Sequence, residues 1–457
     1  MIAEQRAKGP LVVVDGGNSL APPVRGAVAG GSALDQRRIK AELIADATRL
    51  AGIDAMALGP ADWSLGVEFV RNLVDSRQLP VLAANLTCDG AAPYPGGKVV
   101  EVAGKKLGFV GVTLGPVEGC EVGPAVEAMD RAVAALGPVD VVIGLVPADG
   151  DRAAAEVGTP SVDLVIDSRG RAAGGPGDHR GAAMWVSAGS KGKTVALMDL
   201  AFVPGATGWS QTGEVERLQK QIETAEARLE GLDERLDGKP ATKDTELLTR
   251  QRDGYRKNLA ELKARMAELA DPGHHNTFTV TEVQLEAALA DHPETAKLVA
   301  DAKTRIAGAP TSPDPAAAAG PRTVADTSSP FVGGEVCVGC HQTEHDQWST
   351  TGHARAWQSL TAANRAMDDD CWSCHVTGAK ASGGPDTAAA SAGFRDVQCE
   401  ACHGAGRAHA AAPAEAKLTV DPPAETCRQC HDGDKDGGRF DFTAYRPKVL
   451  HGAESKP

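Results

Sequence analysis

No run of apolar residues in this 457-residue chain approaches the length needed to cross a bilayer, so the sequence offers no membrane-spanning helix. Positive charge is in deficit as well: 47 Lys and Arg stand against 61 Asp and Glu, for a net charge of −14. No basic patch stands out, and a phosphate backbone would be repelled, which excludes nucleic-acid binding. The acidic surface suits solubility and also docking to basic partner proteins. Aromatics are few at 4 %, although 42 % hydrophobic content suffices for ordinary cores. The opening MIAEQRAKGP shows no sign of export. Cysteine is nearly absent outside one motif. Only Cys88 and Cys120 lie elsewhere, and they are expected to be buried free thiols, though an oxidising compartment would let them pair.

What is present is that motif, four times: CVGCH (337–341), CWSCH (371–375), CEACH (399–403) and CRQCH (427–431). Zinc ribbons pair CxxC with CxxC and need no His beside every second Cys. Redox CxxC sites use one motif near a strand–helix junction, not four. Cys-x-x-Cys-His suits c-type haem attachment, in which the two thiols add across the haem vinyls and the His becomes the proximal iron ligand. The expectation is four c-type haems, with covalent attachment at Cys337, Cys340, Cys371, Cys374, Cys399, Cys402, Cys427 and Cys430. The proximal ligands are then His341, His375, His403 and His431.

At this length two or three domains are expected. Residues 1–212 alternate short apolar runs, such as LVVVD (11–15) and VDVVIGLV (139–146), with helical stretches such as 33–51. Near-continuous β-branched runs of this kind indicate strands buried on both faces. Residues 213–271 change character. Val215, Leu218, Ile222, Ala225, Leu229, Leu232 and Leu236 step by three and four, a second stripe runs from Leu248 to Leu269, and DGKP (237–240) breaks between them. An antiparallel helical hairpin follows, with arms of roughly 35 Å, as spacer, dimerisation arm or packed insertion. Residues 272–306 read as a strand and helix returning to the N-terminal domain, 307–330 as a Pro/Ala-rich linker, and 331–457 as the haem domain.

GIDAMALGPADWSLG (52–66), LPVLAANL (79–86), KLGFVGVTLG (106–115) and VSAGSKGKTVALMDL (186–200) resemble the metallophosphatase domain of the periplasmic 5′-nucleotidase/UDP-sugar diphosphatase family. The resemblance implies an α/β metallophosphatase-like sandwich in which Asp, His and Asn hold two divalent metals that activate water. Here Asn18 stands where the family has Asp, Pro60 and Ala61 replace an Asn ligand and the catalytic His, and Pro147 and Arg169 replace two further His. Pro and Ala offer no side-chain ligand, and Arg stays protonated. No divalent metal pair and no hydrolase activity are therefore expected. The family's first motif, an Asp-x-His, is missing. The expectation is that the gene starts upstream, adding that strand, a signal peptide and a means of membrane attachment. GSKGKT (189–194) imitates a phosphate-binding loop, but Ser187 stands where its first Gly is needed and a strand follows. Asp149, Asp151, Asp178 and His179 are polar loop residues that no motif binds together.

FVGGEVCVGCHQTEHDQWSTTGHARAWQSL (331–360), DDDCWSCHVTG, DVQCEACHGAGRAH and DFTAYRPKVLHG resemble the tetrahaem cytochromes c that carry electrons from hydroxylamine oxidoreductase. That resemblance implies a mostly α-helical and irregular domain wrapped on haem. It also implies distal ligands at His353, His409 and His451, leaving the haem of His375 five-coordinate. His345, one helical turn after His341 on the same face, could not reach the distal side of its own haem and reads as a surface residue. The fold expected overall is multidomain: the sandwich with its hairpin insertion, then the multihaem domain. The function expected is extracytoplasmic, periplasmic electron transfer to redox partner proteins, with the phosphoesterase-like domain as a docking or anchoring module. The alternatives are an oxidoreductase acting on small nitrogen compounds at the open haem, and an active phosphoesterase with an accessory cytochrome.

Overall fold

The computed structural model describes residues 1–23, 32–148, 157, 161–168, 178–180, 183–187, 189, 192–206, 208–240, 242–269, 275–286, 288–309, 328–379, 381–433 and 436–451. Arg169, Asp149, Asp151 and most of the Pro/Ala-rich linker lie outside the described residues, as do the side chains of Asp178 and His179. The chain forms two compact units. The first comprises Met1–Pro23 with Thr48–Ala290, and the second Val24–Ala47 with Asp291–Pro457.

The first unit is an α/β sandwich. Its strands are β1 (Val14–Asp15), β2 (Ala55–Met56), β3 (Leu86–Cys88), β4 (Gly97–Val102), β5 (Lys105–Gly111), β6 (Cys120–Val122), β7 (Val141–Val146), β8 (Leu164–Asp167), β9 (Asp178–Arg180), β10 (Ala183–Ser187), β11 (Thr194–Ala201), β12 (Gly208–Gln211) and β13 (His275–Gln284). One sheet runs β4-β5-β7-β8-β10-β9, with β5, β7, β8 and β10 parallel and the two edge strands antiparallel. A second sheet runs β11-β13-β12. Alternate residues of the parallel strands divide between two cores, as a period of two requires. Leu107, Phe109, Ile143, Leu145, Leu164 and Met184 face Trp209 and Phe278 of the second sheet. Val110, Val165 and Trp185 face Met129 and Ala132 on the helix Ala125–Leu136. Burial on both faces is why these strands are written as unbroken apolar runs.

Cys88 and Cys120 are joined by a disulfide, correcting the expectation of free thiols. They sit opposite each other in the antiparallel pair β3–β6, which brings their Cα atoms to 4.3 Å. That pairing was invisible without the register. The helices Glu214–Leu236 and Lys243–Glu268 form the antiparallel hairpin. Leu218, Ile222, Ala225, Leu229 and Leu232 are buried along its seam, but Val215 is exposed at 45 %, because the first turn instead buries Glu214. Glu214 accepts from the Gln211 backbone at 2.9 Å and pairs with Arg265 at 2.8 Å, tying the two ends of the hairpin together.

The second unit is helical and irregular. Two segments join it that the sequence places with the N-terminal domain: the part of the helix Ser32–Ala51 up to Ala47, and the helix Pro293–Gly308. They are bridged by Arg305 and Glu42 at 2.6 Å. Around the four motifs the buried apolar cluster is small: Phe331, Leu360, Trp372, Val376, Ala388 and Phe394. Val336, Val420, Tyr445, Val449 and Leu450 remain exposed. A segment with so little core of its own needs another apolar body to wrap.

Candidate functional site

Each of the four motifs begins in a short helix: Gly334–Val338, Asp369–Trp372, Cys399–His403 and Ala424–Arg428. In the first and fourth, the His backbone N–H donates to the carbonyl of the first Cys, at 3.0 Å for His341 and 2.9 Å for His431. One helical turn thus carries two thiols and an imidazole along one edge. The eight thiols form no disulfides. Sulfurs approach between motifs rather than within them. Cys337 donates to Cys399 and draws that thiol down to about 6, and Cys430 does the same to Cys374. Burial and then the nearby Cys427 raise Cys402. The motifs therefore neighbour one another in the order first, third, fourth, second.

Three motif histidines face a second imidazole. Ring centroids are 6.4 Å apart for His341 and His409, 6.3 Å for His353 and His431, and 5.5 Å for His403 and His451. The partners come from unrelated short elements: His353 opens the 3-10 turn His353–Arg355, His409 sits on the helix Arg407–Ala411, and His451 follows the turn Arg446–Lys448. His451 is held there by Gln347, whose amide donates to the Leu450 carbonyl. The Nδ1 atoms of His403 and His409 meet the carbonyls of Thr419 and Ala416 at 2.6 and 2.7 Å. An Nδ1–H donated to a carbonyl leaves the Nε2 lone pair as the ligating atom. Burial, then the charge of His431, lowers His353, and burial, then His403, lowers His451. Both shifts favour the neutral ring that a metal ligand must be.

His375 differs. Its Nδ1 meets the Ala356 carbonyl at 2.6 Å, so its Nε2 is prepared in the same way, yet no second imidazole faces it among the described residues. His345 lies one turn after His341, its N–H bonded to the His341 carbonyl at 3.0 Å. Its side chain is 32 % exposed, at the surface as the sequence suggests. Its ring lies 5.4 Å from that of Trp348, one turn along the helix Gln342–Ser349.

The test of fit for haem is the gap between imidazoles. Two imidazole nitrogens each about 2 Å from one metal put the ring centroids roughly 6 Å apart. The observed 5.5–6.4 Å brackets that value. The residues fit the group. Residues 336–404 match the family model for cytochrome c554 and c-prime.

The cytochrome c554-like segment contains the first three motifs and ends directly after the third, short of the fourth at 427–431. No curated protein sequence matches the chain. Among solved structures, the chain is similar to the sulfate thiohydrolase SoxB of Thermus thermophilus, at 24 % identity and a TM-score of 0.36, over 44 % of this chain and 38 % of that one. It is also similar to the calcineurin-like phosphoesterase YfkN of Bacillus subtilis, at 18 % identity and a TM-score of 0.35, over 45 % of this chain and 76 % of that one. A third is a 5′-nucleotidase precursor from Thermus thermophilus, at 19 % and 0.35, over 44 % and 43 %. The chain thus spans 38 % of the length of SoxB, and likenesses this distant decide nothing about its chemistry.

Sequence reading missed what supports the cytochrome c554-like segment. Glu400, the first spacer residue of CEACH, is buried and accepts from the backbone N–H groups of Val332, Gly333 and Gly406 at 2.7–3.2 Å. It binds the loop before the first motif to the third. An acidic spacer inside an attachment motif gives no signal of that role.

In the first unit, four of the positions where the 5′-nucleotidase resemblance expects metal ligands are described: Asn18, Pro60, Ala61 and Pro147. The Asn18 amide donates to the Pro147 carbonyl at 2.9 Å and to Ser168 Oγ at 3.0 Å, and its oxygen accepts from the Ala61 N–H at 3.1 Å. Pro60 opens the short helix Pro60–Trp63. Asp62 lies behind them, wholly buried, accepting from the N–H groups of Asn18, Leu20 and Gly59. Among the described residues, no group of three His, Cys, Asp or Glu is arranged to hold a metal ion.

Proposed function

We propose that this protein is an extracytoplasmic tetrahaem c-type cytochrome that exchanges electrons with partner proteins, and that its phosphoesterase-like unit docks or anchors it without hydrolysing substrates. The observation that carries the reading is the three facing histidine pairs. His341/His409, His403/His451 and His431/His353 would hold iron from both sides, and His375 from one. Haem supplies a one-electron ferric/ferrous couple when bound. The protein's part is to hold the imidazoles in place, so that little rearranges when charge changes. The Cys88–Cys120 disulfide supports an oxidising compartment, where c-type haem is attached.

The test is expression with a signal peptide in a cytochrome-maturation strain. Haem-stained denaturing gels and intact mass should show four additions, and spin-state spectroscopy one high-spin haem. His353→Ala should add a second high-spin haem, and His345→Ala should add none. Four low-spin haems in the wild type, one of them lost with His345→Ala, would refute the ligand assignment. Zinc bound by free thiols would refute the whole reading.

A second reading rests on His375 alone. An iron held from one side only leaves a coordination position for a small nitrogen compound. Binding of NO to the high-spin haem would favour it.

Hydrolysis is expected to be absent. The Asn18 amide occupies the Pro147 carbonyl and the Ala61 N–H, and neither Pro60 nor Ala61 can ligate. Assayed with Mn²⁺ and a 5′-nucleotide or a UDP-sugar, the haem-loaded protein should stay at the blank rate. Turnover abolished by a chelator would contradict this.

A further inference from the structure

The helix Ser32–Ala51 reaches the second haem motif with two side chains. Gln36, only 2 % exposed, grips the backbone just before the motif from both sides: its amide donates to the Met367 carbonyl at 2.7 Å, and its oxygen accepts from the Asp369 N–H at 3.0 Å. One turn later, Lys40 Nζ lies 2.6 Å from both Asp368 and Asp370. Asp368 is 2 % exposed and caps the helix Asp369–Trp372 by accepting from the Asp370 N–H. Burial alone would raise its carboxyl, but Lys40 and Arg365 outweigh that and hold it at about 2. That helix carries Cys371, and Trp372 is locked by its indole N–H donating to Asp369 at 2.8 Å. The next turn delivers His375.

We infer that Gln36 and Lys40 are positioning residues of the second haem, resting on the reading that CWSCH carries one. The other three motif histidines face a second imidazole, and His375 has none among the described residues. A haem held from one side depends on its attachment helix for orientation, and here that helix is clamped from a segment more than 300 residues upstream. Lys40 also places a cation against the motif. A cation disfavours the more positive ferric state, so it holds the midpoint potential of that haem up.

The experiment uses the full haem-loaded chain and reads the high-spin signal and its midpoint by spectroelectrochemistry. Lys40→Met is expected to lower the midpoint of the high-spin haem and leave the three low-spin haems unchanged. Lys40→Arg should restore the wild-type value. Gln36→Ala should broaden the high-spin signal without changing haem count. Glu42→Gln, which cuts the ion pair to Arg305 on the same helix, should do neither and separates positioning from general anchoring. If Lys40→Met does not accumulate, Gln36→Ala and Lys40→Arg carry the test. Four haems with an unmoved high-spin signal in Lys40→Met or Gln36→Ala would overturn the inference, and so would equal shifts in all four. Fewer than four haems in the wild type would instead count against the tetrahaem reading itself.

Discussion

Replacing Glu400 by alanine will abolish stable haem loading, although the attachment motif around it stays intact. The carboxylate is the acceptor for three buried N–H groups, from Val332, Gly333 and Gly406. A buried donor left without a partner costs about 1–3 kcal/mol. Three together approach the roughly 5–15 kcal/mol by which a domain is stable at all. Glu400→Gln keeps one acceptor oxygen and should lie between wild type and alanine. The measurement is holoprotein yield and thermal midpoint, with Glu425→Ala, near the fourth motif and outside this network, as the neutral control. A Glu400→Ala variant that loads four haems and melts with the wild type would show that the loop before the first motif has another anchor.

The first unit should lose stability as pH rises from about 4 to 7, and Asp62 is the reason. Burial pushes its carboxyl up to about 7, against the lowering effect of its three backbone donors. The unfolded chain releases the same proton near pH 4. Between those values the folded state holds more protons than the unfolded state, so stability is greatest at the acid end and declines with pH. Asp15, also raised by burial, acts in the same direction. Asp62→Asn should be destabilising at pH 5, because its NH₂ group must face the Leu20 N–H. The deficit should shrink by pH 8, where wild type carries a buried charge and the variant does not. Denaturant unfolding at the two pH values measures this, and a deficit independent of pH would rule out the raised carboxyl.

Some of this was legible in the sequence for simple reasons. Attachment of haem needs two thiols and an imidazole in one helical turn, so the chemistry is contiguous and can be read from five letters. Strands buried on both faces and a hairpin with a three-four apolar step leave equally local patterns. Other features depend on neighbours distant in sequence. The Cys88–Cys120 bond follows from the β3–β6 register, which no spacing of the two residues encodes. Val215 fits the heptad yet is exposed, because Glu214 is drawn in by Arg265, 51 positions on. Gln36 and Lys40 look like ordinary polar residues on an amphipathic helix until Met367 and Asp368 are placed beside them.

The clamp on the second motif also sets an order of assembly. Gln36 and Met367 are separated by 331 positions, and the chain between them includes every strand of the sandwich after β1, together with the hairpin. Closing a loop of that size costs only slowly more with length, about 0.6 kcal/mol per doubling, so the contact is tolerable at equilibrium. It is slow to find, because non-local pairings form late. In a chain made from its N-terminus, Gln36 emerges early and waits while everything up to Met367 is synthesised. The fourth motif and the second therefore differ in how far their contacts reach along the chain: His431 of CRQCH faces His353 across 78 positions, whereas the segment leading into CWSCH meets Gln36 across 331. Cutting the gene between the two apparent domains would leave all four attachment motifs in the fragment and still remove one wall of the second.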